Sequence, residues 1–158
     1  MIILGIDPGT IDMGYAIVDK KTKKVHKAGC WKLNNKKPIM EFLEEIIELI
    51  DDICDEFGVD VIVVEKMFST GNNSNLALLN VLPRLISNIC TNRDIKYLII
   101  HNSTIKKRVA GNGKASKIEV AEMVVKITGI DYDSLVAVYK NRVGNVTDAI
   151  SIALAYEE

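Results

Sequence analysis

No run of about 20 consecutive apolar residues occurs in the 158-residue sequence, so a membrane-spanning helix is excluded. The N-terminus has neither a basic leader segment nor a small-residue cleavage site, and a secretory signal is not expected. Cysteine is scarce. Cys30, Cys54 and Cys90 form an odd, widely spaced set without C-x-x-C spacing. They read as reduced, small core residues of a cytosolic protein. Neither charge sign dominates: 20 basic residues face 21 acidic ones, for a net charge of −1. The total charge therefore does not point to a polyanionic partner. Internal repeats, low-complexity tracts and linker-like segments are also missing, and residues 1–158 are expected to form one domain with a substantial core.

The distribution of charge says more than its sum. Residues 41–56 carry Glu41, Glu44, Glu45, Glu48, Asp51, Asp52, Asp55 and Glu56 with no base, whereas residues 106–117 carry Lys106, Lys107, Arg108, Lys114 and Lys117 with no acid. One region is a candidate acidic face and the other a candidate phosphate-binding surface, although two ordinary solvated faces would look the same.

The hydrophobic pattern predicts an α/β fold. Ile2–Ile6 is apolar throughout, as in a strand buried on both faces, and Pro8-Gly9 turns the chain after it. Gly14–Val18 and Val25–Leu33 complete an antiparallel meander. From Pro38, the apolar positions Ile39, Leu43, Ile46, Ile50, Ile53 and Phe57 mark a helix that ends at Gly58. Val59–Val64 is a fourth strand running into Glu65. A polar loop, residues 69–75, then leads to an apolar helix, Leu76–Ile89, which Pro83 is expected to kink or restart. Ile95–Ile100 is the fifth strand. Ser103 or Thr104 is expected to cap a short basic helix to about Ala110. Ser116 and Glu119 are spaced as a capping box for a helix over 117–128. A connection rich in Tyr and Asp leads to a last helix over about 145–156. The order implies a mixed sheet in a layered fold.

Two of these strands end in carboxylates, Asp7 and Glu65, and the last helix carries Asp148. Singly, Asp7 is open to a turn-capping role and Asp148 to that of a first-turn acid. If Asp148 faces the two strand ends, three carboxylates converge, and such a cluster does not fully ionise without cations. Mg²⁺ or Mn²⁺ suits an all-oxygen donor set. Two such ions about 4 Å apart support phosphodiester hydrolysis.

The chain resembles the RuvC-type Holliday junction resolvases of the ribonuclease H-like superfamily. The resemblance rests on Ile3–Thr10, Gly14–Ile17, Glu65-Lys66-Met67-Phe68, Val109–Lys117 and Asp148-Ala149, in order over nearly the whole chain. It implies a five-stranded mixed sheet flanked by helices, and a short bacterial or phage-encoded enzyme of the cytoplasm. The implied activity is metal-dependent cutting of four-way DNA junctions by paired nicks. Asp7, Glu65 and Asp148 match the family's metal-binding acids, with Asp7 serving both of two Mg²⁺ ions, for which Mn²⁺ can substitute. Lys106 and Lys117 match lysines at or beside the scissile phosphate, Lys117 as a catalytic one. Phe68 matches an aromatic that stacks among bases. Lys107, Arg108 and Lys114 complete a basic segment suited to backbone phosphates. A homodimer is implied too, since resolving a two-fold junction takes two matched nicks. Helix 76–89 is the candidate interface; a wholly intramolecular helix is its alternative.

One position departs from the family pattern. Asn145 stands where a fourth acid is usual, and its amide oxygen can ligate a hard cation only without charge. Weaker metal binding and greater dependence on Mn²⁺ are expected. Two alternatives to a strict resolvase stay open: a debranching nuclease acting on forks and flaps, and a branched-DNA-binding protein without activity. An ATP-binding domain of the actin and sugar-kinase class is disfavoured, because the chain has a single Asp-x-Gly-Thr turn and no second phosphate loop.

Overall fold

The computed structural model describes residues 1–67 and 75–158, with residues 75–77 and 79 described by their backbone alone. The chain forms β1 (Ile2–Asp7), β2 (Asp12–Asp19), β3 (Val25–Lys32), α1 (Ile39–Phe57), β4 (Val61–Glu65), α2 (Asn75–Arg93), β5 (Lys96–Ile100), α3 (Asn102–Ala110), α4 (Lys117–Thr128), α5 (Tyr132–Tyr139), a 3₁₀ turn at Lys140–Arg142, and α6 (Val143–Leu154). The five strands form a single sheet in the order β3-β2-β1-β4-β5. The first three are antiparallel, and β4 runs parallel to both β1 and β5. No helix among the described residues is long and apolar enough to cross a membrane.

The central strands are buried on both faces, as their unbroken apolar runs predict. Ile3, Val61 and Val63 face one layer, where they meet Ile105 and Val109 of α3, Val120 and Val124 of α4, and α6 from Val146 to Ala153. Leu4, Ile6, Ile62 and Val64 face the other, against Phe42, Ile46 and Ile50 of α1 and Leu82 and Ile86 of α2. The acid-rich α1 and the basic α3–α4 segment thus lie on opposite sides of the sheet. On α1 the acids face outward, and several are paired: Glu56 with Lys27, Glu45 with Lys37, Asp51 and Asp55 with Arg93.

Three local expectations are corrected. Helix α2 is continuous from Asn75 to Arg93 and does not restart at Pro83. The ring removes one donor and crowds the preceding turn, but Leu82 and Ile86 on either side are fully buried and pin both halves to the sheet. Helix α3 begins at Asn102 behind His101, so neither Ser103 nor Thr104 caps it. The Tyr- and Asp-containing connection contains α5, capped by Asp131, whose side chain accepts from the Ser134 amide. The C-terminal αL glycine of α1, Gly58 at φ 61°, and the Ser116–Glu119 capping box are both present as expected.

Two glycines set how closely α6 lies on the sheet. A Cβ on Gly5 would fall 2.3 Å from the Ala149 carbonyl oxygen, and one on Gly14 would fall 2.1 Å from that of Asn145. Any side chain at either position would push the helix off β1 and β2.

Candidate active site

The side-chain period of two brings the acids together. In β1, Ile3 and Gly5 face α6, so Asp7 does too; in β4, Val61 and Val63 face the same side, so Glu65 follows. Gly5 is in register with Val63, which places both acids at the carboxyl ends of adjacent parallel strands. Asp148 comes from α6 above them. It lies beyond the first turn of a helix that starts at Val143, so its position is not that of a capping acid.

Asp7, Glu65, Lys117, Asn145 and Asp148 line one cleft of about 340 Å³, together with Pro8, Lys66, Met67 and Asn102. A neighbouring recess shares Glu65, Asn102, Lys117 and Asp148 and adds Lys106. The capping box fixes the base of Lys117, the first residue of α4: the Glu119 amide donates to Ser116 Oγ and the Ser116 amide to Glu119 Oε2. From there Lys117 Nζ donates to Asp148 Oδ2 at 3.2 Å. Asn145 Nδ2 faces Cys30 Sγ at 3.9 Å. Its Oδ1 is then the amide atom left to act as a ligand.

The electrostatics of the cleft favour a cation. Burial, and then the charges of Asp148 and Glu65, push the Asp7 carboxyl up to about 7, against an opposing pull from Lys117. Burial also raises Glu65, opposed by a hydrogen bond from Asn102. The charge of Asp148 raises the Lys117 ammonium. Among the described residues no three acid, His or Cys side chains are drawn up as a finished metal cage. The carboxylates repel one another, and the Lys117 ammonium partly compensates Asp148. The donor set of carboxylate and amide oxygens still fits a hard divalent cation, because such an ion would offset both the burial and the neighbouring charges that raise the Asp7 carboxyl.

The other expected residues divide. Lys106 lines the recess. Lys107 and Lys114 are exposed, outside the residues lining cleft or recess. Arg108 points elsewhere: its guanidinium donates to the Ala155 carbonyl at 2.9 Å and pairs with Glu157 at 2.8 Å. In this conformation its donors clamp the C-terminal segment. Phe68 lies outside the described residues. Asn102 was not anticipated, although its position two residues past the end of the strand beside Glu65 is visible in the sequence.

A five-stranded mixed sheet in this order, with carboxylates at two adjacent strand ends and a third on the helix above them, defines the ribonuclease H-like class of nuclease folds. The family model for Crossover junction endodeoxyribonuclease RuvC matches residues 3–156, and the chain belongs to that family. Similar curated proteins of that name occur in Campylobacter hominis, 33% identical with 99% of this chain and 95% of the relative covered, and in Aliarcobacter butzleri, 32% identical with 100% and 99% covered. The fold matches the solved structure of Thermus thermophilus RuvC in complex with Holliday junction substrate, with a TM-score of 0.85 at 23% identity, covering 98% of this chain and 92% of that one. Nucleases of this family depend on divalent metal.

Proposed function

We propose that this chain is a structure-specific endodeoxyribonuclease that resolves four-way DNA junctions by paired nicks in recombination and repair. The observation that carries the reading is the meeting of Asp7, Glu65, Asp148 and Lys117 in one cleft, in a member of the RuvC family. In this reading Asp7, Glu65 and Asp148 hold two divalent cations, Mg²⁺ with Mn²⁺ able to substitute, and Asn145 adds a neutral oxygen. When bound, the cations supply Lewis-acid charge and an activated water for phosphodiester hydrolysis. Lys117 reaches over the cleft from the start of α4 and stabilises charge developing on the phosphate. Lys106 does the same from the recess. Lys107 and Lys114 hold the DNA backbone and carry little sequence information. Phe68 is assigned to stacking among bases at the crossover. The enzyme works in the cytoplasm as one domain, consistent with three free cysteines.

The working unit in this reading is a two-fold dimer formed through α2. Leu82, Ile86, Ile89 and Cys90 of that helix are buried in the core. Leu78 and Leu85 pack, partly buried, at the edge of that core, and Val81 between them is 36% exposed. Val81→Asp is expected to turn the dimer into a folded monomer. Analytical ultracentrifugation checks this, and a variant that stays dimeric moves the interface elsewhere.

The activity is tested with a labelled synthetic four-way junction beside a fork and a linear duplex, in Mg²⁺, Mn²⁺ or EDTA. Symmetric paired nicks on the junction that need metal are expected, with Mn²⁺ the better ion because Asn145 brings no charge. Equal cutting of forks would make the protein a general debranching nuclease. Tight junction binding without cuts in either metal would make it a non-catalytic binding protein.

A further inference from the structure

Among the described residues two side chains donate to acids of the cleft: the charged Lys117, to Asp148, and the neutral Asn102, to Glu65. Asn102 Nδ2 donates to Glu65 Oε1 at 2.7 Å, at the short end of the range for charge-assisted bonds. It is the only hydrogen bond to the Glu65 carboxylate among the described residues. An ionised carboxylate only accepts, so the orientation of the amide is determined: its nitrogen faces Glu65.

The placement is set by backbone geometry. Glu65 is in register with Ile100 on β5, and the Lys66 amide donates to the Ile100 carbonyl at 2.8 Å, which ties the two strand ends together. Asn102 follows two residues later as the first residue of α3. Asparagine is favoured as an N-cap and has weak helix propensity. Here it does not cap, since His101 occupies that position. The side chain instead crosses to the neighbouring strand, half-buried, and lines both the cleft and the recess.

The contrast with Asp148 shows what a neutral donor achieves. Lys117 brings a full positive charge to Asp148 and offsets its attraction for a cation. Asn102 fixes one oxygen of Glu65, brings no net charge, and leaves Oε2 without a hydrogen-bond partner among the described residues. We propose that Asn102 is a positioning residue that locks the Glu65 carboxylate in a metal-receptive orientation. The proposal rests on the reading of Glu65 as a metal-binding acid.

The test is Mn²⁺ binding in the absence of DNA, followed by calorimetry and by the metal-induced rise in melting temperature. The proteins are wild type, Asn102→Ala and Glu65→Gln. Removing a group that orients a ligand typically weakens metal binding about 10–100-fold. Asn102→Ala is expected to raise the Mn²⁺ dissociation constant by that factor, with little change in the metal-free melting temperature or in junction binding in EDTA. Cleavage should then recover substantially at saturating Mn²⁺. Should Asn102→Ala fail to fold, Asn102→Leu, with the same side-chain branching and no donor, carries the same expectation. Unchanged Mn²⁺ affinity in the Asn102 variant, with weakened affinity in Glu65→Gln, overturns the positioning role alone. Unchanged affinity in Glu65→Gln overturns the assignment of Glu65 as a ligand, and the positioning role with it.

Discussion

Asp7→Asn abolishes cleavage and at the same time stabilises the metal-free protein above neutral pH. Removing a single donor that stabilises the transition state costs about 10²–10³-fold in rate, and Asp7 in this reading holds the cations that supply that stabilisation, so nicking of the junction should fall by at least that factor. Junction binding in EDTA should persist, because the basic surface is untouched. The gain in stability follows from the position of Asp7. Its carboxyl is raised from 3.8 to about 7, chiefly by burial and then by Asp148 and Glu65. Between those values the folded protein holds a proton that the unfolded chain has released. Stability of the metal-free wild type therefore falls as pH rises from about 4 to about 7, and the loss is complete above that window. Asparagine keeps the shape and removes the charge. At pH 8 the variant should melt roughly 5 °C higher, since about 2 kcal/mol at this chain length corresponds to such a shift. Adding Mg²⁺ should raise the wild-type melting temperature by mass action and move the variant much less. Melting curves from pH 4 to 8, with and without metal, check both parts. A variant that melts lower than wild type at pH 8 would show that Asp7 is not an uncompensated charge.

Gly5→Ala is the second large effect, and it acts on stability first. The new Cβ would lie 2.3 Å from the Ala149 oxygen and 2.7 Å from the Ala153 nitrogen. Both are backbone atoms of α6, so no side-chain rotation relieves the clash. Overpacking of this kind costs about 1–3 kcal/mol or more, and α6 carries fully buried Val146, Ala149, Ile150 and Ile152. A drop of roughly 5–10 °C in melting temperature is expected for a domain of this size. Cleavage should fall further than the unfolded fraction accounts for, because a lifted α6 takes Asp148 and Asn145 away from the strand ends. Displacements near 1 Å in a catalytic arrangement cost about 10²-fold. Circular dichroism melting together with single-turnover cleavage at a temperature where the variant is fully folded checks both. Full activity in that state would mean that the α6 spacing does not position the acids.

The core strands were legible in the sequence because they are one-dimensional signals. Ile2–Ile6 and Val61–Val64 are apolar at every position, short, and rich in β-branched residues, the pattern of strands covered on both faces. The Ser116–Glu119 cap and Gly58 were equally local. Of the two outcomes expected at Pro83, the restart is not taken, because Leu82 and Ile86 hold both halves of the helix in the core and their burial depends on the rest of the fold. Helix α5 is short and none of its residues is fully buried, so its stripe of Tyr132, Leu135, Val136 and Tyr139, at helical spacing, is easily read as part of a connection. At the site, the acids could be picked out at strand ends, but their meeting depends on α6 settling onto Gly5 and Gly14. Arg108 and Lys106 are two residues apart in one basic run, yet point to different places, and composition gives no hint of that. Asn102 escaped notice because a polar residue beside a helix start suggests a cap, and its actual partner is 37 positions away.

The parity of two strands has a consequence for how this chain can vary. Asp7 and Glu65 face α6 only because each lies an even number of residues from a position already turned that way. One extra residue between Gly5 and Asp7 would leave hydropathy and composition almost unchanged, but would turn the carboxylate toward α1 and α2. The hairpin at residues 20–24 carries no such constraint and should accept insertions of any small number. Gaps are therefore a sharper test of function among such sequences than substitutions: a single-residue indel within β1 or β4 should mark a protein that keeps the fold and has lost the nuclease.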